Sequence, residues 1–106
     1  MYKNKILYVL IIISICISST FALQKNAIFY NKQGWDYLAK EDYRNAIFSF
    51  KNAIQKNAFY KDALLGLAKA YNNIGAYNES YDLYKRVLKI ESQSSQAYIG
   101  IGSNLI

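Results

Sequence analysis

The stretch Ala63-Leu64-Leu65-Gly66-Leu67-Ala68-Lys69-Ala70-Tyr71 has matching residue classes at several key positions thirty-four residues away in both directions. Leu64 has Tyr30 before it and Tyr98 after it, Leu67 has Gln33 and Ile101, Ala68 has Gly34 and Gly102, and Tyr71 has Tyr37 and Leu105. Ala63 and Gly66 return as Ala97 and Gly100. Small residues meet small ones at the same offset at which apolar residues meet apolar ones, which an apolar-rich chain rarely produces by chance. A period of this length marks stacked units, none of which buries its apolar face alone.

The second half of each unit repeats as well: Tyr43 with Tyr77, Ala46 with Ser80, Phe50 with Tyr84, Ala53 with Val87 and Ile54 with Leu88. The apolar spacing within each half is helical, with Tyr30, Gly34, Tyr37 and Leu38 on one face and Tyr43, Ala46, Ile47, Phe50, Ala53 and Ile54 on the next. Breaks fall at Lys40-Glu41-Asp42 and 55–59, and again at Gly75-Ala76 and 91–95; Gly75 suits a left-handed helix terminus. The chain therefore reads as all-α, a solenoid of about two and a half helix-turn-helix repeats behind an N-terminal segment, with helices near 26–40, 43–56, 61–74, 77–90 and 95–106. The repeats span 27–60, 61–94 and, in part, 95–106.

The pattern resembles the tetratricopeptide repeat, whose signature runs W-x2-L-G-x2-Y, then A-x3-F, then a proline. Here it is Tyr30-x2-Gln33-Gly34-x2-Tyr37 with Ala46-x3-Phe50, then Leu64-x2-Leu67-Ala68-x2-Tyr71 with Ser80-x3-Tyr84. Gln33 stands where the pattern wants an apolar residue, and Ala58 and Ser92 replace the proline. The resemblance covers 27–106.

Ahead of the repeats, Lys3 and Lys5 precede the apolar run 6–17, which is followed by Ser18-Ser19-Thr20-Phe21-Ala22. This is the layout of a secretory signal, and its apolar core of about twelve residues suits a signal better than a full span of roughly twenty. Thr20 and Ala22 give small residues for cleavage before Leu23. Two alternatives stay open: lipid attachment at Cys16, within the degraded lipobox Ile13-Ser14-Ile15-Cys16, or an uncleaved anchor over 6–23. Residues 1–22 are thus read as a signal peptide or membrane anchor and 23–106 as the repeat domain, exported to a bacterial periplasm or cell envelope. Membrane contact is expected through residues 1–22 only.

Composition narrows the function. Histidine is absent and the single cysteine lies in the apolar run, so the repeat body has neither the commonest general base nor a thiol. No catalytic residue, metal site or cofactor is expected. The formal charge is +6, of which Lys3 and Lys5 contribute two, leaving +4 on the body. Eleven lysines against two arginines, with fourteen isoleucines, ten asparagines and eleven tyrosines, point to AT-rich codons rather than a selected polyanion site. Nucleic acid is not an expected partner. Lys85, Arg86 and Lys89 form a basic cluster near the end of the fourth helix, which reads either as a site for phosphate or anionic lipid or, the favoured reading, as cations that offset the helix dipole, with Asp82 placed to pair with Arg86.

The resemblance implies a scaffold or adaptor that binds a peptide or helix of another protein in a concave groove lined by the first helices of the repeats. Mapped onto this chain, the groove candidates are Ile28, Asn31, Lys32, Trp35 and Leu38, then Leu65, Lys69, Asn72 and Asn73, then Gln96, Ile99 and Ser103. Trp35 reads either as an exposed anchor or as packing on residues 23–29. The family's best-known groove clamps a C-terminal carboxylate with lysine, asparagine and arginine, whereas the corresponding places here hold Asn31, Trp35, Gly66, Gln96 and Gly100. A more apolar ligand is implied. The apolar last helix, with Ile99, Ile101, Leu105 and Ile106, suggests either self-association through 95–106, similar to envelope-assembly lipoproteins with such repeats, or continuation of a longer array.

Overall fold

A computed structural model of the chain describes residues 2–104. Met1, Leu105 and Ile106 lie outside the described residues, and with them the pairing of Tyr37 with Leu105 and the last turn expected for the fifth helix. Five helices follow one another: α1 (Tyr2–Ala39), α2 (Tyr43–Lys56), α3 (Lys61–Asn73), α4 (Tyr77–Ile90) and α5 (Ser95–Asn104). Four of them begin where the periodicity puts them. The first does not, because it continues back through the apolar front segment as one helix of 38 residues. Between Ala22 and Ala27 the chain has no glycine or proline, so nothing interrupts propagation.

Each helix packs on the next, and α1 with α3 and α3 with α5 also touch. Phe50 and Tyr84, one per repeat, are the large rings of the core. Phe50 lies between Gly34 and Gly66; a Cβ on Gly34 would stand 2.6 Å from its ring, and one on Gly66 would overlap it. Tyr84 lies on Gly100 in the same way. The small residues are therefore what lets each aromatic bridge one repeat to the next.

The two first-to-second helix turns match. Gly75 takes φ +82 and Glu41, its counterpart, takes φ +58. Asp42 caps α2 by accepting from the Asn45 amide at 3.3 Å, whereas Ala76 at the same place before α4 has no side chain to do so. Ser94 caps α5, accepting from the Ala97 amide at 3.3 Å. Gln33 finds a polar partner, with the Ser49 hydroxyl donating to its Oε1 at 3.3 Å; the second repeat has Leu67 and Leu83 there, both buried.

The molecule measures 68 × 29 × 18 Å, its long dimension including the front half of α1, which projects from the stacked repeats. Ile6 to Ile17 in that projection are all exposed, and an 18-residue window within 4–39 has mean hydropathy 2.5 with none of it buried.

Candidate functional site

The concave face is built from α1, α3 and α5. Trp35, Leu65, Lys69, Asn72, Gln96, Ile99 and Ser103 line a hollow of about 250 Å³, with Tyr84 and Gly100 forming part of its floor and Asp62 its rim. Trp35 is half-buried, edge-on to Phe50 with ring centroids 5.5 Å apart. Its indole N–H donates to Asp62 Oδ2 at 3.1 Å, and the Lys69 ammonium stands 5.9 Å from its ring centroid. Trp35 thus faces α2 and α3. Asn31 Nδ2 donates to the same Asp62 oxygen at 2.8 Å, and its own Oδ1 is buried without a partner. One carboxylate oxygen therefore ties two side chains of α1 to the start of α3.

The same carboxylate acts on Tyr60. Burial, and then the Asp62 charge, hold the Tyr60 phenol above its ordinary value, with a hydrogen bond to Asn31 opposing them. Burial also raises the Tyr84 phenol, opposed by its hydrogen bond to Ser80.

Of the expected groove residues, Trp35, Leu65, Lys69, Asn72, Gln96 and Ile99 come together with Ser103. Leu38 and Asn73 join Trp35 and Lys69 in an adjoining hollow of about 360 Å³. Asn31, at 8% exposure, is a strut beneath the groove rather than part of its surface. Ile28 and Lys32 are exposed on α1 and line neither hollow. Asp62 is missing from the sequence-based set, although the signal is there: it holds the place, thirty-four residues on and thirty-four back, of Ile28 and Gln96.

The basic cluster is arranged differently from the expectation. Asp82 approaches Lys85 at 3.6 Å, not Arg86, because Arg86 Nη2 reaches the Ala58 carbonyl at 3.2 Å in the α2–α3 turn. Lys85 also lies 4.7 Å from the Tyr81 ring centroid. Among the described residues no three His, Cys, Asp or Glu side chains gather as metal ligands do.

Comparison with known proteins agrees with this architecture. The sequence model described as Tetratricopeptide repeat matches residues 37–101. An uncharacterized protein of Methanocaldococcus jannaschii is 36% identical over 67 residues, which is 63% of this chain and 78% of that protein. The second TPR domain of human RPAP3, solved in complex with the HSP70 peptide SGPTIEEVD, superposes with a TM-score of 0.74 at 23% identity, over 76% of this chain and 68% of that one. The Arabidopsis OM64 TPR domain gives 0.72 at 19% identity, over 74% and 65%. Identities this low carry the fold alone. With the family pattern matched over more than half its length and the paired helices in place, the chain belongs to the tetratricopeptide-repeat family.

Proposed function

We propose that this chain is a binding module, not an enzyme, whose groove takes a segment of another protein and which α1 holds, uncleaved, at a membrane of the cell envelope. The observation that carries the groove reading is that Trp35, Leu65 and Ile99, one from each first helix, converge on one hollow. A half-buried tryptophan flanked by aliphatic side chains is the usual chemistry of an interface anchor. The RPAP3 domain in complex with an HSP70 peptide supports a peptide ligand in this geometry. In this groove Asp62 stands opposite Lys69. An acidic tail such as SGPTIEEVD is expected to bind weakly, and an apolar segment with a basic residue beside Asp62 well.

A displayed library of random peptides, selected on the full chain, tests this. Selected peptides should lose at least about tenfold in affinity, roughly 1.4 kcal/mol, on Trp35→Ala and on Ile99→Asp. Peptides indifferent to both changes would sink the groove reading.

The membrane reading is supported by the apolar projection of α1, exposed throughout 6–17 and with the hydropathy of a span, a property that a signal segment shares. Intact mass of the protein from its own cells decides it: a chain beginning at Met1 supports the anchor, one beginning at Leu23 makes a soluble exported protein, and one beginning at a lipidated Cys16 gives a different tether.

A second reading is self-association through α5. Leu64 in α3 is fully buried, but its counterpart Tyr98 in α5 is 57% exposed. Tyr98→Glu would then abolish a dimer seen by light scattering while leaving peptide binding intact. Ile99, which the sequence offers for both roles, lines the hollow, which supports the groove role.

A further inference from the structure

Charge in the repeat body is sorted along α1, not around it. Gln33 meets Ser49 across α1 and α2, so counting back along one and forward along the other brings Lys56 level with Asn26. Ser80 meets Ala68 across α3 and α4, which likewise brings Ile90 level with Ala58. Asp62 bonds Asn31 and Trp35, fixing the start of α3 beside that part of α1. One end of the body, formed by the α2–α3 turn and the last turns of α2 and α4, therefore faces the apolar projection. The turns at 40–42 and 74–76 form the opposite end.

At the near end stand Lys25, Lys56, Lys61, Arg86 and Lys89, against only Asp62 and Glu91, and Glu91 is already paired with Lys61 at 2.7 Å. The remaining acids, Asp36, Glu41, Asp42, Glu79 and Asp82, lie in the far half, where Lys40, Arg44 and Lys69 offset three of the five. The near end also exposes Phe29 at 60% and Phe59 at 76%. Phe59, Ile90, Arg86 and Lys89 surround an open hollow there. Lys56 and Lys89 offset helix C-termini, but that role needs no exposed aromatic beside them. From Ala22 to Phe29 a helix rises about 10 Å, comparable with the headgroup layer.

We infer that this end of the body seats on an anionic bilayer surface, with Lys56, Arg86 and Lys89 against lipid phosphates and Phe29 and Phe59 in the interface. The inference rests on the proposal that α1 is held in the membrane. Because the helix has no break, the span would bring this face, and not the opposite end, to the headgroups.

The full chain in vesicles tests it, in phosphatidylcholine alone and with one-third phosphatidylglycerol. Ile12→Cys, Ala58→Cys and Asn78→Cys, each in a Cys16→Ser background, carry a fluorophore whose quenching by acrylamide reads contact with water. The Ile12→Cys label should be shielded in both vesicles and the Asn78→Cys label in neither. The Ala58→Cys label should be shielded about threefold with phosphatidylglycerol only, and freed at molar salt. Arg86→Glu with Lys89→Glu should free it too; the milder Lys56→Gln with Lys89→Gln acts in the same direction if circular dichroism finds the reversal unfolded. An Ala58→Cys label equally quenched in both vesicles, or shielded in both, overturns the inference while a shielded Ile12→Cys label leaves the anchor standing. An Ile12→Cys label open to acrylamide removes the anchor and the seating together.

Discussion

Glu41 and Gly75 hold the same place in consecutive repeats, and both have positive φ. Glycine takes that conformation without strain, whereas a residue with a Cβ is held there at a cost of about 1 kcal/mol or more. Glu41→Gly should therefore stabilise the fold by about 0.5–1 kcal/mol, part of the relief being offset by the added freedom of the unfolded chain, and denaturant melting measures it. Tyr84 gives a pH prediction. Burial keeps its phenol protonated to higher pH in the folded chain than the ordinary 10.0. Above that value the unfolded state binds fewer protons than the folded one, so stability is complete below pH 10 and falls as pH rises through the folded value. Tyr84→Phe should flatten that alkaline decline when both proteins are melted across the range.

Comparison of the two repeats makes the elements test one another. Asp42 caps α2 and Ala76 fails to cap α4, so Ala76→Asp should add about 1 kcal/mol, read as a rise in midpoint on thermal melting. Gln33 and Ser49 replace the buried Leu67 and Leu83 of the next repeat. A double-mutant cycle of Gln33→Leu and Ser49→Ala should show coupling of about 1 kcal/mol, the pair of changes costing less than the sum of the singles. The starts and ends of α2, α3 and α4 are legible in the sequence to within a residue, because the apolar stripe and the turn residues agree there. The polar pairing is only half legible: Gln33 announces itself as an oddity in the pattern, but its partner lies sixteen residues away on another helix. Asp62 and Asn31 are less legible still. The thirty-four-residue offset places Asp62 with Ile28 and Gln96, and Asn31 with Leu65, but none of those counterparts forms such a bond, so the offset finds the positions and not the pairing. The continuity of α1 escapes the reading for another reason: composition distinguishes a signal-like segment from a repeat, while helix propagation ignores that boundary.

At the scale of the molecule, a stack of repeats has no long-range closure, and stability is shared between neighbours. α3 is covered by α2 and α4 and touches α1 and α5, while α5 rests on α3 and α4 alone. Amide exchange should be slowest in α3 and at least about tenfold faster in α5, since end units open without unfolding the rest. Equal protection in both would mean that another chain covers α5 in solution.

The absence of any joint in α1 has a metrical consequence. With the apolar segment embedded, Trp35 would be carried about 20 Å beyond Ala22, at 1.5 Å per residue, and its height above the bilayer would change only with the tilt of the whole helix. The helix would serve as a ruler. A soluble partner would meet the groove at any approach height, but one rooted in the same bilayer would need at least about six extended residues between its own anchor and its docking segment.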